Sequence, residues 1–165
     1  MNDAATAARD FHLDAIAFRL ALPEDVETLH DLYLQLIPDE DPDTTDMRAA
    51  LEIIPDNPLF GQIVIGEYAG AIIATCQVIE YDNLIRSPQR KAMIDSVVVA
   101  DGYRHRGIGT KMMQWVLDNL GNATTSKIIV LTAYTRKEAH GLYGKMGFDQ
   151  TGHSYIYSFR KKGDF

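Results

Sequence analysis

Hydrophobic and polar positions change period along the chain, and these changes predict where strands and helices lie. Residues 16–20 alternate with a period of two, which is typical of a short strand. Two further strand-like runs, 60–68 and 71–81, meet at Ala69 and Gly70, and this junction predicts a β-hairpin. The first half of the chain is therefore expected to supply three strands of a sheet.

Two helices are predicted between the first strand and the hairpin. Pro23 and the two acids after it are typical of a helix start. The apolar positions that follow keep helical spacing: Val26, Leu29, Leu32 and Leu36. After an acidic, proline-containing loop over 38–45, a second helix has its apolar positions at Met47, Leu51 and Ile54. Pro55 and Pro58 are expected to end that helix.

The second half of the chain predicts a strand–helix–strand unit and one more helix. In chain order the elements are a polar loop (82–91), a strand (92–99), a helix (110–120) capped by Gly121, a compact buried strand (127–132), a helix (136–146) stopped by Gly147, and a strand (155–159). A further short strand is considered near 148–151. This order predicts a mixed sheet that combines a hairpin with a right-handed parallel crossover and carries helices on both faces.

Length and charge limit the class of protein. The 165 residues, 46% of them hydrophobic and 24% charged, are typical of one globular domain. We expect that domain over 15–165, preceded by a mobile N-terminal extension over 1–14. The net charge of -7 argues against a nucleic-acid partner. The longest apolar runs, such as 128–131, are far shorter than the roughly 20 residues of a membrane span, so no membrane partner is expected.

The cysteine content and the N-terminus indicate a compartment. Cys76 is the only cysteine, which excludes an intrachain disulfide and a cysteine-based zinc site. The first 15 residues contain three aspartates and no apolar segment of the kind found in secretory signals. We therefore expect a cytoplasmic protein with no metal.

A turn rich in glycine and arginine, between the strand 92–99 and the helix 110–120, carries the strongest chemical signal. Such a turn directs several backbone N–H groups and the positive end of a helix at one point. Arg104, Arg106 and Lys111 add positive charge to an otherwise acidic protein. The pattern predicts a phosphate or pyrophosphate site. It is neither a Walker A loop nor a dinucleotide fingerprint, since Ile108 and Met112 stand where those motifs need lysine and glycine.

Two segments of the sequence resemble one enzyme superfamily. Arg104-x-x-Gly107-x-Gly109 resembles the pyrophosphate motif Gln/Arg-x-x-Gly-x-Gly/Ala of the GNAT acetyl-CoA-dependent N-acetyltransferases. The stretch 138–148 resembles the signature of their last helix, Ala-x-x-Phe/Leu-Tyr-x-x-x-Gly-Phe, and lies one helix and one strand further on, as in the superfamily. At Arg136 many relatives carry an asparagine that helps to orient the cofactor, so an asparagine contact of that type is not expected here.

The resemblance implies the acyl-CoA N-acyltransferase fold, an α/β (α+β) architecture with a mostly antiparallel central sheet. In this fold two parallel strands splay apart, and acetyl-CoA lies in the gap with its pantetheine arm against the backbone of the first strand. The residues that would bind acetyl-CoA are Val97, Val98, Val99, Arg104, His105, Arg106, Gly107, Ile108, Gly109, Thr110 and Arg136. A backbone N–H near Val98 or Val99 would hold the oxyanion.

The resemblance also implies catalytic groups. Tyr143 is the expected donor of a proton or hydrogen bond to the CoA sulfur. A base should accept the proton of the amine, because an alkylammonium of pKa about 10 is rarely neutral at pH 7. The candidates are Asp95, Glu80 and Asp82, with Asp95 preferred. Strand alternation predicts that Asp95 lies on the same face as Val97 and Val99. His140 and Lys145 are minor candidates near this site.

The function that the resemblance implies is acetyl transfer from acetyl-CoA to a primary amine, by direct attack in a ternary complex. We expect a small-molecule acceptor and consider a homodimer. The acidic loop over 38–43 is expected to border the acceptor pocket and to attract a cationic amine. Two alternatives stay open: a non-catalytic module that binds or senses acyl-CoA, and an acetyltransferase for protein N-termini or lysines.

Overall fold

The computed structural model describes residues 11–56, 61–84, 89–120, 125–133 and 135–152. These residues form the strands β1 (Ala17–Leu20), β2 (Gln62–Tyr68), β3 (Ala71–Asn83), β4 (Gln89–Val99) and β5 (Thr125–Val130). Their α-helices are α1 (Val26–Leu36), α2 (Thr44–Ile53), α3 (Ile108–Asn119) and α4 (Lys137–Lys145). Short 3₁₀ turns precede α1 at Pro23–Asp25 and follow α2 at Ile54–Asp56.

The five described strands form one mixed sheet in the order β1-β2-β3-β4-β5. Neighbours pair antiparallel except β4 and β5, which pair parallel through the crossover helix α3. Ala69 and Gly70 have φ angles of 49° and 79° in the β2–β3 hairpin. These left-handed conformations suit a tight two-residue turn, so the predicted hairpin is confirmed.

Helices cover both faces of the sheet, as predicted. One buried cluster joins α3 and α4 to the sheet, with Met113, Val116 and Tyr143 packed near Cys76 and Ile94. The other joins α1 and α2 to the opposite face of β2, with Val26, Leu29, Leu51, Ile63 and Ile65. Val64 lies in the first cluster while Ile63 and Ile65 lie in the second, as the two-residue period of a strand requires.

Three predictions about strands are wrong. The polar loop predicted over 82–91 is strand at both of its ends, because β3 continues to Asn83 and β4 begins at Gln89, while residues 85–88 lie outside the described residues. Asp82 pairs there with Arg90, so cross-strand pairing keeps these polar residues extended. The strand predicted as compact and buried over 127–132 is β5, which is only half-buried or exposed along its length. Residues 148–152 form no strand in the described part of the chain.

The ends of the last two helices differ slightly from the prediction. The helix α3 begins at Ile108 rather than at residue 110, because Gly107 adopts a left-handed φ of 82° and starts the helix. Gly147, with a φ of 85°, follows α4 and ends it, as predicted. The predicted strand over 155–159, the cap at Gly121 and residues 1–10 of the N-terminal extension lie outside the described residues.

Residues 11–15 pack against the domain; they are the end of the N-terminal extension and the first residue after it. Phe11 contacts the ring of Tyr68 with a centroid distance of 5.0 Å. The Lys111 ammonium group donates hydrogen bonds to the carbonyl of Leu13 at 2.8 Å and to the Asp14 carboxylate at 3.2 Å. This segment therefore lies directly behind the first turn of α3. Among the described helices, none combines the length and the apolar character that crossing a bilayer requires.

Candidate active site

A cleft opens where the parallel strands stop pairing. β4 and β5 pair from Arg90 to Ile94, and the last bond runs from the Leu131 N–H to the Ile94 carbonyl at 3.2 Å. Beyond this point β3 is the only described strand beside β4, and the chain after β5 turns towards α4. The space between them has a volume of about 1310 Å³. The parallel pair therefore separates at its end, which is the feature that the resemblance implied.

An irregularity in β4 shapes the floor of this cleft. Gln77 pairs with Asp95 and Thr75 pairs with Val98, so β4 uses one residue more than β3 between these pairs. The extra residue makes a β-bulge at Ser96, whose φ of 51° is left-handed. The Asp95 carboxylate accepts a hydrogen bond from the Ser96 N–H at 2.7 Å and supports that strained conformation.

Because of this bulge, the prediction from strand alternation that Asp95 shares a face with Val97 and Val99 is wrong. Asp95 pairs with Gln77, which pairs with Ile63, and Ile63 belongs to the core on the α1–α2 face. Val97 and Val99 instead pack against the core on the α3–α4 face. Asp95 is therefore not on the same face as the two valines, because the extra residue reverses the order of inward and outward side chains. All three residues still line the cleft.

The glycine-rich turn forms one wall of the cleft. His105 and Gly107 adopt left-handed φ angles of 62° and 82°, and α3 starts at the next residue. Among the described residues no side chain caps the start of this helix, because the N-cap residue, Gly107, has no side chain. The first turn, Ile108 to Thr110, faces the cleft. Its amide groups and the positive end of the helix suit an anion such as a diphosphate.

The three cations predicted to surround the anion separate in the structure. Arg104 lines the cleft, where its guanidinium donates to the Val99 carbonyl at 3.0 Å and pairs with Asp101 at 2.7 Å. The Arg106 guanidinium instead lies 5.3 Å from the centre of the Phe11 ring and 5.8 Å from that of Tyr103. Lys111 is engaged with residues 13 and 14, on the far side of the turn.

Most of the predicted cofactor-binding residues meet in this cleft. They are Val97, Val99, Arg104, His105, Gly107, Ile108, Gly109, Thr110 and Arg136. Two of the residues predicted for this group have other positions. Val98 is buried, with 3% of its surface exposed, and its side chain does not line the cleft. Arg106 stacks on the aromatic rings behind the turn, so its side chain is also outside the cleft lining.

The start of α4 forms the opposite wall. The Arg136 guanidinium donates to the Leu36 carbonyl at 3.2 Å and so links this wall to the end of α1. His105 and Glu138 approach across the cleft, with 3.8 Å between Nε2 and Oε2. Lys145 also lines the cleft. His140 is turned back towards the Ala133 carbonyl, with 3.2 Å to its Nε2.

Tyr143 lies on the inner side of α4 and lines the cleft while remaining 8% exposed. Burial raises the pKa of its hydroxyl to about 12, with smaller contributions from Cys76 and Asp95 that exceed the opposing effect of Arg136. Its ring packs edge-on against Phe148 at a centroid distance of 5.8 Å, which fixes its orientation. Tyr143 is thus protonated at physiological pH and can donate a hydrogen bond into the cleft.

Of the three carboxylates considered as a base, only Asp95 lines the cleft. Glu80 pairs across the sheet with Ala92, in the part of β4 that is paired with β5. Asp82 forms an ion pair at 3.3 Å with Arg90, which lies closer to the start of β4 and therefore further from the cleft. Both acids therefore lie towards the closed end of the parallel pair.

A second cavity adjoins the cleft on the α1–α2 side of the sheet. Its volume is about 390 Å³, and it shares Leu36, Ile37 and Ser96 with the cleft. Its other lining residues are Leu29, Tyr33, Glu40, Asp41, Pro42, Met47, Ala50, Leu51, Ile54, Ile63 and Gln77. Glu40 and Asp41 of the acidic loop line this cavity. Asp43 instead caps α2, accepting the Thr45 N–H at 2.6 Å, which lowers the pKa of its carboxyl.

Tyr33 and Gln77 are among the polar residues of this cavity that sequence reasoning missed. Burial raises the pKa of the Tyr33 hydroxyl to about 12, and this hydroxyl hydrogen-bonds the Thr75 side chain. Neither residue belongs to a local motif, because they come from α1 and β3 and meet only in the folded chain. Within the described residues, no group of three or more His, Cys, Asp or Glu side chains could hold a metal ion.

A mixed sheet with a separating parallel pair, and a glycine turn at that separation, define an acetyltransferase architecture. The sequence matches the Acetyltransferase (GNAT) family over residues 25–148. The chain therefore belongs to this family, whose members generally use acetyl-CoA as the acetyl donor. Among curated proteins, no significant match to the sequence is found.

Solved acetyltransferase structures share the fold. A putative acetyltransferase from Agrobacterium tumefaciens is 26% identical, with a TM-score of 0.77 over 86% of this chain and 99% of that chain. Glucosamine-6-phosphate N-acetyltransferase from Arabidopsis thaliana is 22% identical, with a TM-score of 0.72 over 88% and 99%. An aminoglycoside acetyltransferase from an uncultured soil metagenomic sample, in complex with sisomicin, is 10% identical, with a TM-score of 0.73 over 89% and 98%. Proteins with this fold therefore differ in their acceptors.

Proposed function

We propose that this protein transfers the acetyl group of acetyl-CoA to the nitrogen of a small primary amine, by direct attack in a ternary complex. The observation that carries the proposal is the continuous cleft between β4 and β5. It runs from the uncapped start of α3 past the open edge of β4 to Tyr143, and it meets a second cavity at Ser96. This arrangement supports two substrates that approach one point from opposite faces of the sheet.

The cleft supports the binding of acetyl-CoA through main-chain groups. The amides of Ile108, Gly109 and Thr110 would hold the diphosphate, aided by the positive end of α3. On the side away from β3, the backbone of β4 beyond Ile94 has no strand beside it among the described residues, so the pantetheine amides can pair with it as an added strand would. Arg104, Arg136 and Lys145 add positive charge to the lining of the cleft.

The acetyl transfer must balance one bond and one proton. A C–N bond forms between the amine and the acetyl carbon while the C–S bond breaks, and the proton lost by the ammonium equals the proton gained by the thiolate. At pH 7 an alkylamine of pKa about 10 is neutral in about one molecule in a thousand, a cost of roughly 4 kcal/mol. Asp95, directly or through water, is the group that supports removal of this proton.

The remaining charges develop on oxygen and sulfur. A backbone N–H of β4 near Val98 or Val99 is suited to the acetyl oxygen, because alternate amides of this strand point away from β3 and towards the cleft. The Tyr143 hydroxyl is suited to the departing sulfur. Since its pKa is about 12, it supports the thiolate by donating a hydrogen bond rather than by releasing its proton.

Two measurements on one protein sample test this proposal. Free thiol is followed after acetyl-CoA is mixed with a panel of amines, and the melting temperature is measured with and without CoA. Amine-dependent thiol release is expected. CoA at a hundred times its Kd should add about 2.7 kcal/mol of stability, or roughly 5–11 °C. The absence of any CoA-induced shift would overturn the proposal, whereas a shift without thiol release for any amine would favour the non-catalytic acyl-CoA-binding module.

Two helical glycines provide a matched pair of variants for the diphosphate site. A Cβ on Gly109 would project beside Leu142 at the cleft, 3.6 Å from its nearest methyl, whereas a Cβ on Gly144 would meet open space. Gly109→Leu should abolish the CoA-induced shift and thiol release, and Gly144→Leu should retain both. Equal shifts in the two variants would place CoA elsewhere.

A further inference from the structure

The cavity on the α1–α2 side of the sheet has a markedly apolar lining. Aliphatic side chains surround it from α1, α2, the turn after α2 and β2: Leu29, Leu36, Ile37, Met47, Ala50, Leu51, Ile54 and Ile63. The polar residues of the lining are Tyr33, Gln77, Ser96, Glu40 and Asp41. A mainly aliphatic lining of this kind stabilises apolar surface and has few partners for hydroxyls or phosphates.

The polar groups of the cavity come mainly from the sheet and from the loop between α1 and α2. Gln77 and Ser96 lie on the sheet beside the bulge, where the cavity meets the cleft and Asp95. Glu40 and Asp41 belong to the loop between α1 and α2. The Asp41 carboxylate is engaged there by the His30 ring, at 2.7 Å from its Nε2. Apart from these residues and Tyr33, the lining is apolar.

We infer that the acceptor is a primary amine with an apolar body, either an alkyl chain of several carbons or an aryl-alkyl group. This inference rests on the proposed acetyl transfer. The apolar body occupies the 390 Å³ cavity, and the amino group reaches the cleft at Ser96, beside Asp95. The amine must be directed towards that end, because the cavity joins the cleft there and the acetyl group has to meet the nitrogen.

The same lining disfavours highly polar acceptors. An amino sugar phosphate or an aminoglycoside would place several hydroxyl or charged groups against Leu, Ile and Met side chains. Each polar group that loses its water without a new partner should lower kcat/KM about tenfold or more. Each methylene moved from water into the cavity should raise kcat/KM about fourfold, which corresponds to about 0.8 kcal/mol.

The experiment measures kcat/KM by thiol release for a homologous series of propylamine, butylamine, pentylamine and hexylamine, together with phenethylamine. Polar comparators are glucosamine 6-phosphate and sisomicin. We expect kcat/KM to rise about fourfold per methylene until the cavity is filled, with phenethylamine near the top of the range. Each polar comparator should be at least tenfold below hexylamine.

Adjacent alanines of α2 provide the matched variants. Ala50 lines the cavity, whereas Ala49 is exposed and is not part of its lining. Ala50→Phe should fill part of the cavity and reduce the ratio of kcat/KM for hexylamine over propylamine at least tenfold. Ala49→Phe should leave that ratio unchanged. The CoA-induced shift in melting temperature shows that both variants are folded and bind the donor.

The outcomes separate this inference from the function on which it rests. Thiol release with a flat or falling response to chain length, or with a polar comparator as the best acceptor, overturns the apolar acceptor and leaves acetyl transfer intact. Equal ratios for the two alanine variants also overturn it. A lack of thiol release with every amine, despite CoA binding, overturns the proposed function itself.

Discussion

Replacing Tyr143 by phenylalanine removes one hydroxyl from the cleft and retains the ring that packs against Phe148. The Tyr143 side chain is only 8% exposed, so removal of the hydroxyl should not open a path for water. We expect Tyr143→Phe to lower kcat for acetyl transfer and to leave the Kd of CoA and the melting temperature nearly unchanged.

The magnitude follows from the two pKa values involved. The pKa of the Tyr143 hydroxyl is raised to about 12 by burial, whereas an ordinary thiol has a pKa of about 8.5. Complete proton transfer from this tyrosine to the thiolate would therefore be uphill by roughly 5 kcal/mol. A hydrogen bond to a charged sulfur requires no such transfer and contributes about 1.5–3 kcal/mol. The expected loss in kcat is therefore about 10- to 150-fold.

The assay is thiol release at saturating acetyl-CoA and amine, measured from pH 6 to pH 10.5. Because a hydroxyl with a pKa of about 12 stays protonated over this range, the wild-type protein should show no alkaline decline that Tyr143→Phe abolishes. Tyr81→Phe serves as the control for the loss of a phenol, since Tyr81 pairs with Lys91 away from the cleft.

Two results would refute this reasoning. If kcat of Tyr143→Phe equals that of the wild-type protein, the hydroxyl does not contact the developing thiolate. If the wild-type profile declines near pH 9 and the variant profile does not, the tyrosine releases its proton and its pKa in the working enzyme is far below 12.

Three further variants test separate parts of the structure. Asp95→Asn should lower kcat/KM at pH 7 about a hundredfold or more while CoA binding persists; activity within threefold of wild type would exclude it as the proton acceptor. Asp25→Asn should cost about 2 kcal/mol and 4–8 °C in melting temperature, because Asp25 is 7% exposed and pairs twice with Arg19, at 2.7 and 2.9 Å. Since this pairing lowers the pKa of Asp25, its contribution is complete above about pH 4 and is lost as the pH falls through the folded-state value; a constant difference from pH 7 to pH 2 would contradict it. Lys111→Met should lower the melting temperature by roughly 2–4 °C and speed amide exchange near Leu13, and unchanged exchange there would count against the contact.

The local elements of this protein were predictable because each depends on residues close together in the chain. The Ala69-Gly70 turn, the start of α1 and the glycine that ends α4 follow from φ preferences and from helical spacing. The glycine turn before α3 is predictable for the same reason, since Gly107 permits the left-handed φ that exposes the first amides of the helix. These features were sufficient to indicate an anion site and its family.

Other features depended on partners that are distant in the sequence. The bulge at Ser96 exists because β4 and β3 pair out of step by one residue, and strand alternation alone therefore assigned Asp95 to the wrong face. The positions of Arg106 and Lys111 were equally hidden. Each is held by the segment from Phe11 to Asp14, about a hundred residues earlier, which a local charge count cannot reveal.

The sequence by itself determined the architecture and the glycine turn before α3, because backbone geometry and periodicity are local properties. Only the tertiary structure decided which carboxylate faces the cleft, that Tyr143 lies in surroundings that raise its pKa, and that an apolar cavity meets the cleft at Ser96. The cavity is assembled from two helices and three strands, and its character follows from side chains that become neighbours only when the α1–α2 pair packs on the sheet.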